Sequence, residues 1–120
     1  MEVIRIEGGH RVSGTVTVEG ATFKINPAAI TIKAVDKTKV YDNDASTDPE
    51  LTATVTGVPD AGAAPVYSLV REDGQDVGEY AISVTAEADD NPNYTVTVEG
   101  GTFKVTPAAI TIKAVDKTKV

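Results

Sequence analysis

The chain has no cysteine and no tryptophan. Without cysteine there are no disulfides, no thiolate nucleophile and no cysteine metal site, although the compartment stays open on that evidence alone. Only four Tyr and two Phe are aromatic among 120 residues, so a buried core has to come mainly from Val, Ile, Leu and Ala. Histidine occurs once, as His10 in "GGHRV", and no second imidazole exists to complete a catalytic triad or a catalytic zinc site. Positive charge is scarce: 11 Lys and Arg stand against 18 Asp and Glu, for a net charge of -7. Such a balance excludes a sizeable positive field and makes nucleic acid and anionic membrane surfaces poor partners. No apolar run approaches the roughly 20 residues of a membrane helix, so membrane insertion is not expected. The segment after Met1, "EVIRIEGGHR", lacks an apolar core of signal-peptide length. If the parent protein is exported, its signal is expected outside this chain.

What is abundant points to pleated strands. Thr occurs 16 times, and Val, Ala and Ile dominate the apolar residues. The length suits one domain of ordinary size, or a small one with pieces of others. Residues 15 to 40, "TVTVEGATFKINPAAITIKAVDKTKV", return at 95 to 120 with only Ala21, Ile25 and Asn26 replaced by Gly101, Val105 and Thr106. The period is 80 residues, with Pro27 recurring as Pro107 and Val40 as Val120. The expected division is 1–27, closing strands of a preceding, degenerate or truncated repeat; 28–107, one complete repeat; and 108–120, the first strand of a following repeat.

Within the repeat, hydrophobic alternation marks short strands. Ile30 and Ile32 share a face, as do Leu51, Ala53 and Val55; Tyr67 and Leu69; Tyr80, Ile82 and Val84; Tyr94, Val96 and Val98; and Phe103 and Val105. Clusters of Asp, Asn, Gly and Pro separate them ("DNDASTDPE", "GVPDAGAAP", "EDGQD", "ADDNPN"), and no segment carries a helical period. The expected fold is all-β, an immunoglobulin-like antiparallel β-sandwich module from a tandem-repeat array. "DVGEY" fits the Asp-x-Gly-x-Tyr pattern of a structural tyrosine corner, with Asp76, Gly78 and Tyr80 as its members and the Tyr hydroxyl returning to upstream backbone.

The blocks "DKTKVYDNDASTDPELTATVTG", "VREDGQDVGEYAI" and "NPNYTVTVEGGTFKVTPAAITI", in this order, resemble the MBG-type repeat of bacterial secreted and cell-surface, adhesin-like proteins. Units of that family commonly run D-K-x-K-x-Y-G, D-P-x-L, R-E-x-G-x-x-V-G-x-Y, N-x-N-Y-T and a closing T-P-A. The resemblance covers about residues 28 to 107. It departs at Asp42, where glycine often follows the tyrosine; Asn43 beside it tolerates positive φ nearly as glycine does. The resemblance implies tandem β-sandwich modules acting as spacers or in adhesion, with no catalytic residues to carry over.

The residues offer little chemistry besides this. Asp42, Asn43, Asp44 and Ser46, and separately Asp89, Asp90, Asn91 and Asn93, offer oxygen ligands that calcium could use; Asp42, Asp44, Asp89 and Asp90 are the candidate metal ligands. EF-hand spacing fails, since Thr47 stands where glycine is needed and Ala53 where the bidentate Glu would be. The competing reading is solvated turns whose side chains bond nearby backbone. No other cofactor is expected. The "DKTK" runs, Asp36 to Lys39 and Asp116 to Lys119, fit lysines that keep an exposed edge strand from joining another sheet, more than they fit a site for acidic glycan. A Lys to Asn isopeptide crosslink through Lys33, Lys113 and Asn26 would show as an intact mass short by one ammonia, but the lysines alternate outward with Thr. "NYT" at Asn93 to Thr95 has the form of a glycosylation acceptor and reads better as a turn entering a strand.

The functional expectation is a non-enzymatic spacer module of a bacterial cell-surface protein, extracellular, contributing to adhesion or envelope architecture. The alternative is a carbohydrate- or protein-binding adhesin module whose end loops, with Tyr41 and Tyr67 as candidate ligand-binding residues, meet a host or matrix glycan or protein. Neighbouring repeats of the same chain are the first expected partners. Residues 15 to 27 are expected to form a closing hairpin and 108 to 120 an opening strand. With their backbone unpaired, these ends would self-associate by domain swapping or head-to-tail pairing.

Overall fold

A computed structural model describes residues 17–120; His10 and the first part of the expected closing strands, residues 1–16, lie outside the described residues. The strands are β1 (Ala28–Ala34), β2 (Lys37–Val40), β3 (Ala53–Thr56), β4 (Ser68–Arg71), β5 (Gly78–Thr85), β6 (Tyr94–Glu99) and β7 (Gly101–Thr106). Two short 3-10 turns, Ala45–Thr47 and Ala88–Asp90, fall in the Asp-rich segments. Among the described residues no helix is long and apolar enough to cross a membrane.

The strands form two sheets, in the orders β3-β1-β6 and β2-β7-β5-β4. Alternation sets their faces: Ile30, Ile32 and Ala34 are buried on β1 while Lys33 is exposed, and Phe103 and Val105 are buried on β7 while Lys104 is exposed. The core has two stacked parts. Ile30, Ile32 and Tyr94 form one, Ala34, Ile82, Phe103 and Val105 the other, and Val84 packs against both.

The pairings β1–β3, β4–β5 and β5–β7 are antiparallel, but β1–β6 and β2–β7 are parallel. Alternation reveals a strand but not the direction of its partner. The parallel pairs bring together segments far apart in sequence. Residues 28–40 and 94–106 run side by side with one offset throughout, from Ala28 opposite Tyr94 to Val40 opposite Thr106.

Both segments change sheets at the same level. Val35 N–H still donates to Thr52 O (2.9 Å) in the first sheet, whereas Asp36 Oδ1 accepts from Thr102 N–H (2.8 Å) in the second. On the partner line the change comes at Gly100, where a Cβ would meet Ile82 O at 2.7 Å. Only glycine allows that approach of backbone to backbone. The passage "TVTVEGGTFKV" is therefore one line that switches sheets, and not the closing hairpin the sequence led us to expect of its copy.

This topology sends the chain in at one pole and out at the other. β1 starts at the entry pole with β6, and β7 ends at the exit pole beside Val40. Residues 17–27 and 107–120 carry no strand and are exposed. The long axis measures 133 Å against 21 and 17 Å across. Extended tails of these lengths span at most about 40 and 50 Å, so such an axis requires them to leave from opposite ends.

Candidate functional site

The densest polar cluster lies at the exit pole. Lys39 sits on β2 opposite Val105, a buried core position, so its side chain lies at the core's upper rim and is only 7% exposed. Its ammonium faces five oxygens: Asp44 O (2.8 Å), Thr47 Oγ1 (2.9 Å), Asp48 Oδ1 (2.8 Å), Gln75 Oε1 (3.1 Å) and Asp42 Oδ1 (2.9 Å). The loop that supplies most of them is shaped locally. Asp44 caps the first 3-10 turn by accepting from Ser46 N–H (2.9 Å), Asp42 Oδ1 accepts from Asp44 N–H (3.0 Å), and Asn43 takes φ 54°. That last value fits the positive φ expected for asparagine where the family often has glycine one residue earlier.

Asp48 joins this cage to the core. Its carboxylate receives Lys39, Arg71 Nη2 (2.8 Å) and Gln75 Nε2 (3.2 Å). Arg71 also donates to Glu72 O (2.7 Å) and Gly74 O (3.0 Å). Its guanidinium carbon lies 4.1 Å from the Phe103 ring centre and 5.2 Å from that of Tyr80, where the negative faces of the rings attract it. Tyr80 Oη donates to Asp76 O at 2.7 Å. Gly74, at φ 152°, passes against the Tyr80 ring so closely that a Cβ there would overlap it.

Charge and hydrogen bonding shift the titrations. Burial opposes ionisation of Asp48, but hydrogen bonds from Arg71, Lys39 and Gln75 outweigh it and bring its pKa down to about 2. Burial likewise works against the Lys39 ammonium, and the hydrogen bonds to Asp48 and Asp42 prevail and raise its pKa. Asp42 is lowered chiefly by the Thr47 hydroxyl and then by Lys39, and Asp44 by its bonds to Ser46.

The entry pole is built differently. Asn91 is 3% exposed; its amide accepts from Val66 N–H (2.7 Å) and donates to Val66 O and Glu87 O (both 2.9 Å), as a strand neighbour would. Tyr94 Oη donates to Ala63 O at 2.6 Å. Together they pin the long loop between β3 and β4.

The sequence candidates are distributed as follows. Asp42 and Asp44 belong to the exit-pole cage, and the cation their oxygens surround is the ammonium of Lys39. Asp89 and Asp90 lie in the second 3-10 turn, exposed, at the entry pole. The two acidic clusters are not brought together, and among the described residues no group of three or more His, Cys, Asp or Glu is arranged to hold a metal ion. Asn91, grouped with possible calcium ligands, is a backbone tie. Tyr67 is half-buried against the Ile30 and Ile32 cluster in the entry half, while Tyr41 is 38% exposed at the exit pole, so these two share no surface. β2 is an edge strand, as the "DKTK" reading supposed, but Lys39 points into the molecule and does not guard that edge. Sequence reasoning missed the joint role of Lys39, Asp48, Arg71 and Gln75. The available signal was that opposite charges recur inside the family-like blocks "DKTK", "DPEL" and "VREDG", close to core positions.

Two facing sheets, a strand line that changes sheets and a tyrosine returned to upstream backbone define an immunoglobulin-like β-sandwich module. The PKD domain (residues 329–428) of human KIAA0319 superposes with a TM-score of 0.50 at 16% identity, covering 82% of this chain and 100% of that one, a likeness of fold. The family model described as MBG domain (YGX type) matches residues 30–104, and the chain belongs to that family. The search of curated proteins found no match.

Proposed function

We propose that the chain is a link in a tandem array of a bacterial surface protein: a non-enzymatic spacer that holds a distal region away from the cell and so contributes to adhesion or envelope architecture. The observation that carries this reading is the use of the family-like blocks. Asp36 fastens the sheet switch; Lys39, Asp48, Arg71 and Gly74 build the exit-pole cage; Asn91 and Tyr94 tie the entry-pole loop. These residues are spent on holding the module together. A chain that enters at one pole and leaves at the other is the geometry a string of modules needs.

The test is to vary the number of 80-residue units in the parent protein and, separately, to replace Tyr67, Asp89 and Asp90, which lie outside the exit-pole cage and the joint, by alanine. Reach, measured as the distance of a distal tag from the envelope, should follow unit number and ignore the alanine set. Loss of glycan or host-protein binding by the alanine set, with reach unchanged, would instead favour the adhesin reading.

A further inference from the structure

We infer that consecutive modules are locked at the joint by Tyr41, whose ring docks into a recess at the entry pole of the next module. The inference rests on the array reading above. By the 80-residue period, Pro107 and Ala108 correspond to Pro27 and Ala28. β7 ends at Thr106 and β1 of a module begins at Ala28, so a single proline would separate the last strand of one module from the first of the next. Proline restricts that one link further.

Two features are forced together by so short a link. At the exit pole, Tyr41 N–H donates to Thr106 O (2.8 Å), which seats Tyr41 beside the residue preceding Pro107. Tyr41 is 38% exposed, belongs to neither core cluster and makes no side-chain hydrogen bond among the described residues, whereas Tyr80 and Tyr94 both bond backbone. At the entry pole, a recess of about 370 Å³ opens directly against Pro27 and Ala28 and is walled by Pro59, Gly62, Ala63 and Pro92. Its walls are held in place: Tyr94 Oη bonds Ala63 O, and Gly62 N–H bonds Pro59 O (2.8 Å). Prolines and small residues, with the polar edges of Asn26 and Asn93, leave a shallow slot of mixed character suited to a tyrosine, whose ring is apolar and whose hydroxyl is polar. The occupant that the link delivers is the preceding module's counterpart of Tyr41.

A two-module chain tests this directly. Because 108–120 repeats 28–40 letter for letter, appending residues 41–107 after Val120 creates a second complete repeat. Residual dipolar couplings should then report one alignment tensor for both modules. Tyr41→Ala should give two, Tyr41→Phe should retain one, and Tyr41→Ala in the 120-residue chain should leave its melting midpoint within the error of the measurement. If both modules fold but align independently with Tyr41 present, or stay aligned in Tyr41→Ala, the docking is wrong while the array stands. If the second module does not fold, the array reading fails and the docking with it.

Discussion

At the residue scale, Asp48 does more than its place in an Asp-rich loop would indicate. Its carboxylate joins Lys39 to Arg71, and Arg71 rests on Phe103, which is fully buried. Because folding lowers its pKa from 3.8 to about 2, the stability it contributes is complete above the higher value and disappears as pH falls through the lower. That contribution is about 2 kcal/mol. Urea denaturation between pH 2 and 6 should show stability falling across this window, and Asp48→Asn should flatten that part of the curve while lowering stability at neutral pH. Equal slopes in the two proteins would place the acid sensitivity elsewhere. Gly74→Ala should cost about 1–3 kcal/mol, since the backbone there disfavours any side chain and the Tyr80 ring fills the space; thermal melts of the two proteins measure it.

At the scale of elements, most strands were visible because each has one face in the core, and a period of two follows from that. β2 was not visible as a separate element. Nothing in "KAVDKTKV" distinguishes residues that continue in one sheet from residues that cross to another, since the crossing depends on Asp36 finding Thr102 and on Gly100 yielding room beside Ile82. Asn91 shows the same limit: in sequence it is one more polar residue in a turn, and in the fold it completes the bonding of Val66 across 25 positions. Asn91→Ala should leave Val66 N–H and C=O without partners at a cost of about 1–3 kcal/mol. Hydrogen exchange should then rise selectively over residues 57–66. A uniform rise across all strands would mean that Asn91 supports the whole fold and not that loop.

For the whole molecule, the same letters occur in two states. Ile30 and Ile32 are 2% and 0% exposed, while their copies Ile110 and Ile112 are 79% and 88% exposed; Phe103 is 0% exposed and its copy Phe23 is 90%. Sequence similarity confers strand propensity on both copies, but only β1, between β3 and β6, and β7, between β2 and β5, have neighbours to satisfy their backbone and cover their apolar face. Deleting 108–120 should therefore leave the melting midpoint of the module unchanged, within about 0.5 kcal/mol of stability. In an array, each added unit should lengthen the particle by about 45 Å, the rise of a strand line of this length plus its proline. Small-angle scattering of one-, two- and three-unit chains gives that increment, and a value near half of it would mean that the modules fold back on one another.

The sequence alone determined the all-β class, the 80-residue period, the core-facing residues of most strands and the family, because alternation, repetition and spaced motifs are local properties of the chain. The tertiary structure decided the rest. The parallel pairing of first and last lines, the opposite poles of entry and exit, and the conversion of an acidic loop into a cage for Lys39 all depend on residues distant in sequence becoming neighbours. Partner choice, strand direction and the satisfaction of charge are set only once the chain has closed on itself.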